Sequence, residues 1–370
     1  MARFSDPNPG YWQEYSPFQN VKHDLIRCYL GGWFAKLGTW AGRVVYVDTH
    51  AGRGRYRSGQ PGSPLIALTT FLGHSFRGQL LTKSEFLFLF IEQDDANLAE
   101  LRQELAAMGP LPERVQVTCV AGNAFDRLSE LLERLRQERA KMAPAFVFVD
   151  PYGFKIPGRL LRDLMAAGRV ELFINVIWRE LDMAVRQRPE PRTGMADTLD
   201  AIFDGDDWRR EIDGGDVETR MDQAVALLGR KIAARWWTYI RMISGGQATR
   251  YLLLHLTNHD SGRDLMKDCM WKVCPHGGFY VLRSEDPTQP RLMEPEPDLN
   301  PLRGWALQRL RQGPRRWNEL DDELRPEIWR ASHLGEVIRA LRAEGVIVAD
   351  GYHGRFSRKA NPLLRLRPPE

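Results

Sequence analysis

The chain has 370 residues, 43% of them hydrophobic and 27% charged, which is the balance of an ordinary globular protein. This composition excludes disorder over most of the length, and no run approaches the ~18 uninterrupted apolar residues of a membrane span. The net charge of +4 is small, but residues 300–370 carry 14 Lys and Arg against nine Asp and Glu, so a polyanionic partner would be expected there first.

Patterns typical of helices and strands alternate through the first half of the chain. A helical pattern over residues 20–40 is followed by five apolar runs, which lie in RVVYVD, EFLFLFIE, VQVTCVA, PAFVFVD and RVELFINVIW. Ser63 and Pro64 are expected to begin the helix after the first run, with Ser63 as its N-cap. Because strand and helix alternate with short connections, the sequence predicts a doubly wound α/β sheet with parallel strands.

The second half departs from this pattern. After a core over residues 1–185, residues 186–247 predict a helical insertion whose last helix continues through WWTYI. Residues 248–285 predict the completion of the sheet, including an antiparallel edge strand. A linker rich in proline and acidic residues is expected over 286–300. Residues 301–370 show three short helices and a two-stranded ribbon, the order of a winged-helix domain.

Four polar residues, Asp48, Glu92, Asn123 and Asp150, end successive predicted strands. Ligands of doubly wound sheets bind beyond the carboxyl ends of the strands, so we expect a site there. An acid in the position of Glu92 typically accepts hydrogen bonds from ribose hydroxyls, and the amide of Asn123 can meet an adenine edge. The alternatives are an exposed acid at the end of a strand and an Asn that forms a turn.

The segment DTHAGRG follows the first predicted strand. Its glycines, Gly52 and Gly54, would let a ligand approach the backbone closely, although a tight structural turn explains the same pattern. The spacing is not GxGxxG, and no Gly-Lys-Ser/Thr follows, which excludes a P-loop.

The segment DPYG follows the fourth predicted strand. The carboxylate of Asp150 and the carbonyl of Pro151 can accept hydrogen bonds from an amino group, and Tyr152 can stack on a planar base. The alternative is a structural turn in which Tyr152 covers the core.

Taken in order, these motifs resemble those of Rossmann-like S-adenosylmethionine-dependent methyltransferases. DTHAGRG resembles the Asp-x-Phe-Ala-Gly-x-Gly loop of the amino-methylating and C5 DNA methyltransferases, and DPYG resembles their Asp/Asn-Pro-Pro-Tyr motif. DPYG is closer still to the Asp-Pro-Phe-Gly of the tRNA guanine N2-dimethyltransferases. The resemblance implies S-adenosylmethionine as cofactor, bound by Asp48, His50, Ala51, Gly52, Gly54, Glu92, Asn123 and Ala124. It implies catalytic roles for Asp150, Pro151 and Tyr152.

A longer resemblance extends from about Lys22 to Trp271. The segments VDTHAGRGRY, GSPLIAL, FVDPYGF, DGDDWR and HDSGRDLMKDCMW resemble the three-Cys-motif partner protein family (TcmP). This implies a methyltransferase-like fold and a partner protein that carries three cysteines. Because His50 replaces the Phe of the loop and DPYG has a single proline, a relative that binds without catalysis remains an alternative.

The cysteines point to neither a disulfide framework nor a metal site. Cys269, Cys274 and His276 are spaced C-x4-C-x-H, whereas structural zinc sites usually contain a tighter CxxC pair, so buried thiols and no metal are expected. No Pro-Cys occurs, which argues against C5 methylation and for N-methylation. The first residues lack the apolar segment of a secretion signal, and a cytoplasmic location is expected.

The ribbon GYHGRFSRKANP is a candidate nucleic-acid contact. Arg355, Arg358 and Lys359 alternate with Tyr352 and Phe356, which suits phosphate contact and stacking on DNA or RNA bases. A solvated basic hairpin is the alternative. The leading hypothesis is N-methylation of a nucleic-acid base. The others are a binding module that serves a partner enzyme and a small-molecule methyltransferase whose C-terminal domain mediates dimerisation.

Overall fold

The computed structural model describes residue 12 and residues 15–243, 248–274, 280–282, 296–349 and 351–368. The chain divides into two compact units, the first comprising Met1–Leu265 and Tyr280–Pro290 and the second Met266–Phe279 and Arg291–Glu370. Most of the linker predicted over 286–300 lies outside the described residues.

The described strands of the first unit form one sheet in the order β3-β2-β1-β4-β5-β7-β6-β8. The strands are β1 Arg43–Asp48, β2 Glu85–Glu92, β3 Val115–Ala121, β4 Met142–Val149, β5 Gly168–Val176, β6 Trp236–Ile243, β7 Thr249–Thr257 and β8 Tyr280–Leu282. β7 runs antiparallel to both of its neighbours, while β1 to β5 are mutually parallel. The predicted doubly wound α/β core is therefore present.

Helices connect these strands. They are α1 Pro17–Gly38, α2 Ser63–Leu72, α3 Arg77–Leu81, α4 Asp95–Ala107, α5 Ala124–Gln137, α6 Gly158–Ala166, α7 Trp178–Arg186, α8 Gly194–Phe203, α9 Trp208–Glu211, α10 Val217–Lys231 and α11 Asp260–Val273. The boundary between the two units falls within α11, between Leu265 and Met266. None of the helices in the described ranges is long and apolar enough to cross a membrane.

Three local predictions were wrong. The helix predicted through WWTYI ends at Lys231, because Ala233 takes a left-handed conformation (φ 58°) and the aromatic and β-branched residues after it pair as β6. The antiparallel strand is not at the edge, since β7 lies between β5 and β6. Gly62, rather than Ser63, is the N-cap of α2, which leaves the hydroxyl of Ser63 to hydrogen-bond with Asp48.

The two faces of the sheet bury different side chains. One face is aromatic: Tyr46 of β1 stacks on Phe146 of β4, and Phe71 of α2 stacks on Phe86 of β2 with ring centroids 3.9 Å apart. The opposite face is aliphatic and packs on α5 and α6, with Val47 in the same cluster as the helix residues of that layer. Burial of both faces explains why the strand sequences are continuously apolar.

The second unit contains, in its described residues, α12 Asn300–Arg311, β9 Arg315–Arg316, α13 Trp317–Leu324, α14 Ala331–Ala343, β10 Ile347–Ala349 and β11 Leu363–Leu366. The three strands pair antiparallel in the order β10-β11-β9. The predicted order of three helices and a ribbon is present, and the two-residue β9 was not foreseen. Phe356, between β10 and β11, stacks on Trp317 with ring centroids 5.4 Å apart.

Candidate functional site

The candidate site lies where the strand order reverses. β1 pairs with β2 on one side and with β4 on the other, so the loops after β1 and β4 diverge at a topological switch point. The loop after β1 is tied to both neighbours: Thr49 N donates to Phe148 O at 3.0 Å, and Ala51 N donates to Ile91 O at 3.0 Å. Asp48, the last residue of β1, and Asp150, which follows β4, are thereby brought to one edge of the sheet.

Asp150 is held by two residues that sequence reasoning did not single out. Lys22 Nζ, from the first turns of α1, donates to Oδ2 of Asp150. Asn175 Nδ2, near the end of β5, donates to Oδ1 at 2.7 Å. The side chains of Lys22 and Asp150 are only 5% and 14% exposed. A sequence signal for Lys22 existed, because a lysine one helical turn before Ile26 and two turns before Tyr29 lies on the apolar face of α1.

The two aspartates of this edge, Asp48 and Asp150, differ in their charge states. Burial alone would raise the pKa of Asp150, but the ammonium of Lys22 and the amide of Asn175 outweigh it, so its pKa lies below the ordinary value. Burial raises the pKa of Asp48 to about 7, and the negative charge of Asp150 adds to that rise. Asp150 is therefore ionised at neutral pH, whereas Asp48 is partly protonated.

Asp48 is fully buried and organises the loop that follows it. It accepts hydrogen bonds from Tyr46 Oη at 3.3 Å, from His50 N at 3.3 Å and from the Ser63 hydroxyl.

Glu92, at the end of β2, is 6% exposed and also holds this loop. Its Oε2 accepts a hydrogen bond from Gly52 N at 2.7 Å, and its Oε1 accepts one from Asp94 N at 2.8 Å. Burial raises its pKa, and these backbone amides oppose the rise. A carboxylate has about four acceptor sites, and the backbone amides of Gly52, Asp94 and Gln93 leave about one of them for a further donor.

The segment DTHAGRG, residues 48–54, forms the glycine loop, and the space beside it is partly filled by protein. The indole of Trp12 lies against Gly52, where a Cβ would overlap it, and a Cβ on Gly54 would come 2.9 Å from the Leu101 side chain. Gly52 also has φ +63°, a conformation that side chains with a Cβ disfavour. The sequence predicts that a ligand can approach these glycines closely. In this structure, the side chains of Trp12 and Leu101 lie in that space.

The remaining cofactor candidates lie around the start of α5. Asn123 is exposed and is the N-cap of α5, with Oδ1 accepting from Phe125 N at 2.9 Å, while Ala124 and Ala51 are buried. The rings of His50 and Phe125 meet edge to face at 5.7 Å. Burial lowers the pKa of His50 to about 4, so its imidazole is neutral at pH 7.

The other two residues of the DPYG segment differ in exposure. Pro151 is buried, and Tyr152 is 45% exposed. The ring of Tyr152 is therefore accessible from outside, and residues 152–154 form a bend.

The basic ribbon belongs to the second unit and is only partly available to a ligand. Arg358 Nε donates to Asp321 Oδ2 at 2.6 Å, and its Nη2 donates to Asp322. Arg355 and Lys359 are exposed and form no ion pair with any residue that the structure describes. Phe356 is buried against Trp317, so it is not placed to stack on a base.

Cys269 and Cys274 are buried and form no disulfide, while His276 lies outside the described residues. Within the described ranges, no group of His, Cys, Asp and Glu side chains is arranged to hold a metal ion.

No protein-family model matches the chain, and none of the curated proteins does. Solved structures similar to it include three with low identity. A protein from Staphylococcus aureus provisionally named caffeoyl-CoA O-methyltransferase has TM-score 0.31 and 9% identity over 64% of this chain and 83% of that one. The provisional methyltransferase yhhF from Escherichia coli has a TM-score of 0.27 and 15% identity, over 63% of this chain and 86% of that one. The cyclopropane synthase MmaA2 from Mycobacterium tuberculosis has a TM-score of 0.26 and 12% identity, over 69% of each chain. TM-scores this low support no assignment of activity.

Proposed function

We propose that this protein is an S-adenosylmethionine-dependent methyltransferase that methylates an exocyclic amino nitrogen of a nucleic-acid base. One observation carries the proposal. At the switch point of a doubly wound sheet, the ionised carboxylate of Asp150 is oriented by Lys22 and Asn175, and the exposed ring of Tyr152 follows two residues later. An oriented acceptor beside an exposed aromatic ring suits a planar base that bears an amino group.

The donor and acceptor set at this edge fits the cofactor. The acceptor site that Glu92 retains suits a ribose hydroxyl, and the rings of His50 and Phe125 form an apolar wall near the exposed amide of Asn123. Because His50 is neutral, it does not repel a sulfonium cation. Trp12 occupies the space beside Gly52, so the amino-acid end of the cofactor would pack against Trp12 or move it. The cofactor supplies an electrophilic methyl group.

In this proposal, the chain contributes position and charge. Asp150 accepts a hydrogen bond from the target amine, and its lowered pKa makes it an orienting acceptor rather than the final holder of a proton, which passes to water. Lys22 fixes the direction and charge of that carboxylate. Pro151 offers a carbonyl acceptor, and Tyr152 stacks on the base.

The cofactor site is tested by calorimetric titration of the purified chain with S-adenosylmethionine and its demethylated product. Glu92→Gln should weaken both about tenfold or more, because the amide nitrogen cannot accept a hydrogen bond and the group loses its negative charge. Glu85→Gln, at the opposite end of the same strand, is the matched control and should bind as the wild type does. If neither compound binds the wild-type chain, the methyltransferase proposal is wrong.

The catalytic role is tested by transfer of radiolabelled methyl groups to RNA and to single-stranded and duplex DNA. Asp150→Ala should lower turnover about 100-fold or more while cofactor affinity changes by less than about threefold. Equal losses of turnover and cofactor binding would contradict an orienting role for Asp150. Methylation of a small molecule but of no nucleic acid would favour the small-molecule methyltransferase.

The proposed nucleic-acid contact is tested on the ribbon. Arg355→Glu with Lys359→Glu should weaken binding of an oligonucleotide and flatten its dependence on salt, because both side chains are exposed without an acidic partner in the described chain. Arg358→Ala should have a smaller effect, since Asp321 and Asp322 already neutralise its charge. Lys83→Glu, an exposed charge change in the first unit, is the control.

A second candidate function is a non-catalytic module that binds cofactor or nucleic acid and serves a three-Cys-motif enzyme in the cytoplasm. Two observations favour it: Trp12 lies against the glycine loop, and both oxygens of Asp150 already have partners within the protein. It predicts no methyl transfer by the isolated chain on any substrate, and activity only after the three-cysteine partner is added.

A further inference from the structure

A cavity of about 280 Å³ opens at the other end of the sheet, and we name it the amino-edge cavity. It lies between the start of β5, the end of α1 and the start of α11. Its lining includes Tyr29, Trp33, Lys36, Trp40, Arg169 and Glu171. Glu171 and Asn175 are four residues apart on β5, about 13 Å along the strand, so this cavity is separate from the site around Asp150.

Glu171 is a buried carboxylate in the wall of this cavity, with 5% of its surface exposed. Its Oε2 accepts a hydrogen bond from Tyr29 Oη and lies 3.0 Å from His255 Nε2, while its Oε1 accepts one from Trp33 Nε1 at 3.1 Å. Burial tends to raise its pKa, but these donors bring the pKa below the ordinary value, so the group is ionised at pH 7. No Lys or Arg of the described chain pairs with it, and Oε1 retains an acceptor site.

Two cations lie at the mouth of the amino-edge cavity. Lys36 and Arg169 are exposed, and neither forms an ion pair with a carboxylate in the ranges that the structure describes. The guanidinium of Arg169 lies 4.8 Å from the ring centroid of Trp40, which is itself 54% exposed. A guanidinium held over a ring in this way is ordered in advance for a planar carboxylate.

We propose that the amino-edge cavity binds a small zwitterion of the α-amino acid class. The ammonium group would enter between Tyr29 and Trp33 to reach Glu171, and the carboxylate would meet Arg169 and Lys36 at the mouth. Aromatic walls around a carboxylate favour an ammonium group. A simple cation would be repelled at the mouth and a simple anion by Glu171, whereas a zwitterion satisfies both charges. The volume is at the lower end for ligand cavities, which suits a molecule of this size.

The proposal is tested by calorimetry on the full chain with a panel of L-amino acids. Each amino acid is paired with the amine that lacks its carboxylate and the acid that lacks its ammonium group. At least one amino acid should bind about tenfold more tightly than either partner compound. Saturation with the demethylated cofactor product should leave this binding unchanged, which distinguishes the cavity from the cofactor site.

Variants at the exposed mouth avoid loss of the fold. Trp40→Ala should weaken amino-acid binding about fivefold or more, and Arg169→Glu should weaken it further while it strengthens binding of the matched amine. Phe76→Ala, at an aromatic residue that is also 54% exposed, is the control and should leave binding unchanged.

Three outcomes would overturn the proposal. The first is that no amino acid binds the wild-type chain at a concentration of about 10 mM, which is well above the dissociation constants of ordinary ligands. The second is that the amines bind as tightly as the amino acids. The third is that Trp40→Ala weakens binding of an RNA oligonucleotide and not of any amino acid, which would make the cavity part of a nucleic-acid surface.

Discussion

The two edges of the same sheet each bury a carboxylate, and they keep it ionised in different ways. At the carboxyl edge, Asp150 is paired with the ammonium of Lys22 and one amide. At the amino edge, Glu171 is surrounded by the hydroxyl, indole and imidazole of three neighbours, with no Lys or Arg partner among the described residues. The first carboxylate thus faces a lysine ammonium, and the second faces a hydroxyl, an indole and an imidazole.

This difference has an energetic consequence. Removal of one member of a buried ion pair leaves an uncompensated charge, which costs more than the loss of one hydrogen bond to a carboxylate that keeps its other donors. The carboxyl edge should therefore be the more sensitive of the two to single substitutions and to pH.

The largest effect is expected for Lys22→Met, which keeps the apolar stem and removes the charge that faces Asp150. The free energy of unfolding should fall by about 3–5 kcal/mol, measured by urea denaturation at pH 7. Lys36→Met, on the same helix but exposed, should change it by less than about 0.5 kcal/mol. Equal effects of the two substitutions would show that the buried pair is not what stabilises this edge.

The pH dependence of stability tests Asp48. Its pKa is about 7 in the folded chain and 3.8 for the unperturbed group, so the folded state holds a proton that the unfolded state loses. This stabilisation is complete below pH 3.8 and is lost as the pH rises to about 7. Between pH 5 and pH 8, the free energy of unfolding of Asp48→Asn should therefore fall by about 2.5 kcal/mol less than that of the wild type.

The control for this comparison is Asp206→Asn, an exposed aspartate in the loop before α9, which should follow the wild-type pH profile. Parallel profiles for the wild type and Asp48→Asn would mean that Asp48 is ionised when folded, and the contrast between the two aspartates of this edge would disappear.

A smaller effect is expected at the amino edge from Glu171→Gln. The amide nitrogen cannot accept a hydrogen bond, so one of the donors Tyr29, Trp33 or His255 loses its acceptor, while no Lys or Arg among the described residues is left unpaired. Stability should fall by about 2 kcal/mol in urea denaturation, against almost no change for Glu180→Gln at an exposed position of α7. A loss larger than that of Lys22→Met would reverse the proposed order of the two edges.

The smallest expected difference compares two glycines on either side of β1. Gly42, before the strand, has φ +70° and nothing within 4 Å of an added Cβ, whereas a Cβ on Gly52 would overlap Trp12. Gly42→Ala should cost about 1 kcal/mol through the backbone alone. Gly52→Ala should cost about 1 kcal/mol more because Trp12 must shift. Identical losses in urea denaturation would show that Trp12 does not depend on this glycine.

The sequence predicted much of the fold of the first unit, because strands buried on both faces have a continuous apolar pattern and amphipathic helices separate them. It also placed Asp48, Glu92 and Asp150 at one edge, since the carboxyl ends of parallel strands meet there. It failed at β6, where Ala233 ends the helix and cross-strand pairing with β7 outweighs the helical pattern of the preceding residues.

The partners of the site could not be predicted in the same way. Lys22 and Asp150 are 128 positions apart, and Asn175 belongs to a third element, so no local pattern links them. The same holds for Trp12 against Gly52 and for Phe356, whose stacking on Trp317 removes it from the ribbon surface that the sequence predicted.

The sequence by itself determined which residues end the strands and which edge of the sheet carries the acidic groups, because local periodicity marks the strand ends and the alternation of strand and helix makes the strands parallel. Only the tertiary structure decided the charge state of those groups. Whether Asp150 and Glu171 are ionised and Asp48 partly protonated depends on burial and on donors contributed by distant elements, and these arise only when the chain packs.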